Sequence, residues 1–224
     1  PVAFCTGGSV TLTSSSATGN QWYLDGNPIG AATGQTHVAS AAGDYTVIVT
    51  TSGCPSAASA ATTVTVNPLP ATPSITAGGA TTFCSGGSVT LTSSSATGNQ
   101  WYLDGNPIVT ATAQTYSAIA SGDYTVVVTT AGCPSAASAA TTVIVIPAPV
   151  IAVGTVINPT SCGTSTGSIQ VTGAATGTVS WTGTATGSSG VVTLPYVITG
   201  LAAGTYNIVL TVATCTSNTL VQGL

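Results

Sequence analysis

Residues 4–66 and 83–145 align without a gap at an offset of 79, and 52 of the 63 positions are identical. A period near 80 is too long for a solenoid unit and has the size of a small domain that closes its own core. The rest of the chain differs in sequence but keeps the same order of landmarks, with Cys162, Trp181, Tyr206 and Cys215 in turn. Closely spaced prolines sit at both joints, Pro68, Pro70 and Pro73 at the first and Pro147 and Pro149 at the second. Such spacing holds an extended, semi-rigid backbone. Three domains are therefore expected, at residues 1–68, 69–147 and 148–224. The first is short at its start. The run Pro73 to Thr82 can supply an opening strand ahead of Phe83-Cys84, whereas only Pro1-Val2-Ala3 precedes Phe4-Cys5. Either the missing strand lies upstream of Pro1 in a longer chain, or the first domain tolerates the gap, or it has a bare sheet edge of the kind that accepts a foreign strand. The apolar stretch Thr219 to Leu224 of another copy is the candidate donor.

Period-two alternation predicts strands nearly throughout. Val10 and Leu12 alternate with Thr11 and Thr13, Tyr45, Val47 and Val49 with Thr46, Ile48 and Thr50, and Val64 and Val66 with Thr63 and Thr65. Asp25-Gly26, behind Trp22-Tyr23, is a tight-hairpin signal. Ser56 to Ala61 has helical propensity but runs directly into a Thr/Val strand. No segment carries a helical period, so the fold class is all-β.

The cysteines fall as Cys5/Cys54, Cys84/Cys133 and Cys162/Cys215, at separations of 49, 49 and 53. One disulfide per domain is the simplest connectivity, and the repeat offset agrees with it. Closing a loop of about 50 residues stabilises by roughly 4 kcal/mol in the chain-entropy model, which matters for domains with small cores. Metal binding is the rival reading, but each domain offers two thiols with almost no imidazole or carboxylate beside them. No metal and no cofactor are expected. Disulfides point to an oxidising, extracytoplasmic location.

Charge removes whole classes of function. The chain has no Lys, no Arg, four acidic residues and one His, with a net charge of −4. Phosphate neutralisation needs cationic side chains, so no nucleic-acid partner is expected. Schiff-base chemistry has no amine to use. No apolar run reaches the roughly 20 residues that span a bilayer as a helix, so no membrane span of that kind is expected. So uncharged a surface favours self-association.

On three motifs the first two repeats resemble bacterial immunoglobulin-like domains: Val10-Thr11-Leu12-Thr13, Trp22-Tyr23-Leu24-Asp25-Gly26 and Ala42-Gly43-Asp44-Tyr45-Thr46-Val47. The resemblance implies two-sheet sandwiches in tandem, three along an elongated array, with Trp22 and Trp101 in the core and Tyr45 and Tyr124 as corner tyrosines. The antibody-type cysteine positions hold Ser14 and Val47 here, and Ser93 and Val126 in the second copy. The expected bond therefore ties two neighbouring ends at one pole of a sandwich. The third segment is similar to repeats of the giant gliding-motility adhesins, through Gly167-Ser168-Ile169-Gln170-Val171, Trp181 and the run Gly200-Leu201-Ala202-Ala203-Gly204-Thr205-Tyr206. Trp181 and Tyr206 are the matching core aromatics. Together the resemblances imply surface-exposed arrays and no catalytic residues.

The remaining candidates are thin. His37 is replaced by Tyr116 in the second copy, so the two copies share no His-dependent task. Asp25-Gly26-Asn27 and Asp104-Gly105-Asn106 resemble pieces of calcium loops, but calcium takes six to eight oxygens and commonly several carboxylates. Exposed threonine rows such as Thr11, Thr13, Thr62 and Thr63 suit glycan contact, and suit equally any solvent-facing strand of a lysine-free chain. No catalytic residue is nominated, because nucleophilic catalysis needs an activating base. The expectation is a non-enzymatic, extracellular, cell-surface structural or adhesive protein, a stalk or filament. Its partners would be copies of itself or surface polymers of a host or the environment. The alternative is a glycan- or surface-binding module, whose ligand-binding residues the sequence leaves open.

Overall fold

β-branched residues at alternate positions, broken by Gly, Pro and Asp turns, leave little room for helix. The computed structural model describes residues 2–161 and 163–224. Among them the chain is entirely strand, turn and loop. Pro1 and Cys162 lie outside the described residues.

The strands fall into three successive groups, and no sheet mixes strands of different groups. The first holds β1 (Val2–Cys5), β2 (Val10–Thr13), β3 (Asn20–Leu24), β4 (Asn27–Pro28), β5 (Thr36–Ala39), β6 (Gly43–Thr51), β7 (Cys54–Pro55) and β8 (Thr62–Asn67). One sheet runs β1-β8-β6-β3-β4, with β7 on β6, and the other is β2-β5. Leu12 and Ala39 from the small sheet meet Trp22, Tyr45 and Val64 from the large one in a single buried cluster. Two sheets closed over one core make a sandwich of the immunoglobulin type. Two side chains pin it. The Trp22 indole Nε1 donates to the Gly34 carbonyl at 3.0 Å. The Tyr45 hydroxyl donates to the Ala41 carbonyl at 3.0 Å, which is the tyrosine corner. The β3–β4 hairpin turns on Asp25 and Gly26, at φ 50° and 79°, the left-handed pair that a tight hairpin requires.

The second group holds β9 (Ile75–Ala77), β10 (Thr82–Cys84), β11 (Val89–Ser93), β12 (Asn99–Leu103), β13 (Asn106–Pro107), β14 (Thr115–Ala118), β15 (Gly122–Thr130), β16 (Cys133–Pro134) and β17 (Thr141–Ile146). Its sheets run β10-β17-β15-β12-β13, with β16 on β15, and β14-β11-β9. Strand β11 thus has two neighbours, whereas its counterpart β2 has β5 alone among the described residues.

The third group holds β18 (Ala152–Ile157), β19 (Gly167–Thr172), β20 (Thr176–Gly183), β21 (Gly187–Thr193), β22 (Tyr196–Leu201), β23 (Thr205–Val212), β24 (Cys215–Thr216) and β25 (Leu220–Gly223). Sheets β18-β19-β22 and β21-β20-β23-β24, with β25 on β23, close over a core that includes Ile169, Ile198, Tyr206 and Ile208. The Tyr206 hydroxyl repeats the corner, donating to Ala202 at 3.0 Å. Trp181 differs from the other two tryptophans: it is half-buried and packs against the rim of the core. Its partner across the strands is Gly187, where a Cβ would collide with the indole. The C-terminal stretch is not a spare strand. β25 lies antiparallel on β23, with Tyr206 opposite Gln222 and Ile208 opposite Leu220, and so is already used within its own sandwich.

Packing divides the chain into two compact units. The first is Pro1–Thr76, Ser93–Thr115 and Thr125–Ala140; the second is Ala77–Thr92, Tyr116–Tyr124 and Thr141–Leu224.

Candidate functional site

Two cystines stand among the described residues. Cys5 is bonded to Cys133, with Cα atoms 5.5 Å apart. Cys84 is bonded to Cys215, also at 5.5 Å. Cys54 is a free, exposed thiol. The expected pairs Cys5–Cys54, Cys84–Cys133 and Cys162–Cys215 are therefore overturned: the bonds run between successive repeats. Each described bond lies within one compact unit.

Strand direction explains the correction. β1 lies parallel to β8, with Val2 opposite Val64 and Cys5 opposite Asn67. β8 is antiparallel to β6, with Val64 opposite Gly43. Cys5 therefore lies beyond the Gly43 end of β6. Cys54 pairs with Thr51 at the other end of that nine-residue strand. At about 3.3 Å per residue the two sulfurs sit roughly 30 Å apart, against the ~4.4–6.8 Å between Cα atoms that a disulfide allows. They occupy opposite poles, not one. The same parallel register recurs in the second repeat, with Cys84 opposite Ile146.

Neighbouring groups hold the first junction. Asn67 Nδ2 donates to the Ala131 carbonyl at 3.2 Å. Thr6 N donates to the Asn67 carbonyl at 2.9 Å, so Asn67 binds both sides of the bond. At the second junction the Thr214 hydroxyl lies 4.0 Å from Cys84 Sγ. Sequence reasoning did not single out Asn67 or Thr214. The available signal was the 79-residue offset, which fits pairing shifted by one repeat as well as pairing within a repeat.

Serines next to these cysteines act as substitute strand partners. Ser56 Oγ accepts from Val49 N and Ser59 Oγ from Val47 N, each at 3.1 Å. Ser135 and Ser138 do the same for Val128 and Val126, and Ser217 for Leu210. Ser56 to Ala61 thus runs extended along β6, its hydroxyls completing the ladder where alanines cannot.

The remaining candidates take structural positions. His37 stacks on Trp22, with ring centroids 5.8 Å apart, and lies 5.7 Å from Tyr45. In the second repeat Tyr116 and Tyr124 stand 5.8 Å apart, so a ring is retained at this place and an imidazole is not. The Asp25 carboxylate accepts from Asp44 N at 2.9 Å, and Asp44 accepts from the Thr63 hydroxyl at 2.7 Å; both cap local backbone and strand. Among the described residues no three His, Cys, Asp or Glu side chains gather as metal ligands. Trp22, Tyr45, Trp101, Tyr124 and Tyr206 are buried, and Trp181 is half-buried. No helix of the described residues is long and apolar enough to cross a membrane.

No family model matches the chain, and no curated protein matches it. Solved structures similar to it include domains A168–A170 from titin, at 14% identity and a TM-score of 0.34 over 99% of this chain and 95% of that one. The fibronectin(III)-like modules of Clostridium thermocellum CbhA match at 15% identity and a TM-score of 0.40, over 65% of this chain and 90% of theirs. At TM-scores this low the likenesses add nothing to the sandwich assignment, which stands on strand order and buried faces.

Proposed function

We propose that this chain is an extracellular structural protein of three sandwiches, at residues 1–68, 69–147 and 148–224, whose cystines tie each sandwich to the next in a cell-surface stalk or filament. The observation that carries this reading is the shifted pairing, Cys5 with Cys133 and Cys84 with Cys215. A disulfide inside a small domain stabilises that domain. A disulfide between successive domains shortens the covalent path along which tension travels. From one end of the chain to the other, that path uses residues 1–5, 84–133 and 215–224. It bypasses Trp22, Tyr45, Trp181 and Tyr206. The lack of charge suits a fibre in which sandwiches pack without like-charge repulsion, and oxidised cysteines suit an extracytoplasmic site.

Single-molecule stretching tests the reading. Pulled from its termini, the oxidised chain is expected to stop at roughly 220 Å, the extended length of about 65 residues, against roughly 760 Å after reduction. Equal extension before and after reduction refutes it.

A further inference from the structure

We infer that each of the first two sandwiches binds one buried water molecule at the same loop. In the first repeat the water accepts from the Ser14 hydroxyl and donates to Asn20 Oδ1; in the second it joins Ser93 to Asn99 in the same way. The loop from Ser14 to Asn20 is identical in sequence to that from Ser93 to Asn99. It leads from β2 into β3, as its copy leads from β11 into β12. Both ends of each loop are buried: Asn20 and Asn99 are 3% exposed, Ser14 5% and Ser93 1%.

The loop satisfies its own groups closely. Ser14 N donates to the Gln35 carbonyl at 2.8 Å, and Ser14 Oγ accepts from Ser16 N at 3.1 Å. Asn20 Nδ2 donates to the Ser16 carbonyl at 3.0 Å, and the Ser16 hydroxyl to the Thr18 carbonyl at 2.8 Å. The Gly19 carbonyl accepts from Thr50 N at 2.8 Å. Two capacities are left over. Asn20 Oδ1 is buried and accepts from no group among the described residues. Ser14 Oγ accepts its one bond, and among the described residues nothing takes its proton. The second repeat reproduces this: Ser93 Oγ accepts from Ser95 N at 3.1 Å, Asn99 Nδ2 donates to the Ser95 carbonyl at 3.0 Å, and Asn99 Oδ1 is again without a donor.

Turning the Asn20 amide over does not cure the fault, because Oδ1 would then face the Ser16 carbonyl, acceptor against acceptor. A buried acceptor left empty is costly, and such groups are few in folded chains. Here the spare acceptor and the spare donor are tethered to the C=O and the N–H of one residue, Ser16, yet do not bond each other. One water meets both needs, taking the serine proton on a lone pair and giving a hydrogen to the amide oxygen. In the first repeat the hollow lined by Leu12, Trp22 and Tyr45 reaches Ser14 and gives solvent an approach. The third sandwich has no such need. Two residues ahead of its tryptophan, where the first two carry Asn20 and Asn99, stands Val179, fully buried.

Two measurements on the 224-residue chain test the inference: a crystal structure fine enough to show ordered waters, and oxygen-17 relaxation dispersion of the water signal in solution. The crystal is expected to show one density peak within about 3.2 Å of both Asn20 Oδ1 and Ser14 Oγ, and another so placed against Asn99 and Ser93. Dispersion counts waters held longer than the molecule takes to tumble. Asn20→Val and Asn99→Val copy the third sandwich; each is expected to lose one such water, and the double variant both. Empty density at either loop overturns the inference, as does a Ser14 hydroxyl bonded directly to Asn20 Oδ1, a metal cation in place of the water, or a dispersion amplitude unchanged in the double variant. If a variant fails to fold, the wild-type crystal decides alone.

Discussion

Val126 and Val47 are the same residue at the same place in two near-identical repeats, and the structure gives them different surroundings. Val126 is fully buried, while Val47 is half-exposed on the edge of an open groove. Val126→Ala removes two methyl groups from a closed site. At about 0.8 kcal/mol each, with a cavity of about 40 Å³ adding about 1 kcal/mol, the expected cost is about 2.5 kcal/mol. Val47→Ala removes groups already partly in water and leaves no closed cavity, so its cost is expected to stay under about 1 kcal/mol. Native-state hydrogen exchange with peptic digestion reads each repeat separately, which a melting curve of the whole chain does not. Amides of β15 in Val126→Ala are expected to exchange roughly 30-fold faster or more, and amides of β6 in Val47→Ala less than roughly 5-fold faster. Equal acceleration in the two repeats would refute the difference in burial between Val126 and Val47.

Three other substitutions probe the sandwiches. Trp101→Ala empties the place of a fully buried indole and is expected to cost about 3–5 kcal/mol, measured by urea denaturation followed in the far ultraviolet. Tyr206→Phe deletes the corner hydrogen bond to Ala202 and is expected to cost about 1 kcal/mol, seen as faster exchange in β23 peptides. Gly98 holds φ at 74°, and a Cβ there would run into the Thr129 carbonyl. Gly98→Ala is therefore expected to cost more than about 1 kcal/mol, read as a lower thermal midpoint.

Features with short-range causes were legible in the sequence. Asp25-Gly26 specifies its own hairpin because both residues tolerate positive φ. The tyrosine corners need only a Tyr and a carbonyl four residues back, as for Tyr45 and Ala41. That β2 pairs with β5 alone among the described residues, while β11 has two neighbours, fits the few residues given ahead of Phe4. The cystine partners were not legible. Separations of 49 within repeats and a shift by one repeat obey the same periodicity, and what decides between them is whether β1 runs parallel or antiparallel to β8, a long-range pairing with no local signature. Trp181 shows the same limit. Its place in the order Cys, Trp, Tyr, Cys matches the first two repeats, yet the glycine opposite it sets it at the rim of the core. The C-terminal stretch read as a donor because it is apolar and ends the sequence; antiparallel register with β23 gives it a place at home.

Disulfide mapping of the oxidised, unalkylated chain tests the central claim most directly. With thiols blocked at low pH before digestion, the account predicts linked peptides carrying Cys5 with Cys133 and Cys84 with Cys215, and a blocked Cys54 in the isolated monomer. Linked peptides carrying Cys5 with Cys54 and Cys84 with Cys133 would contradict it.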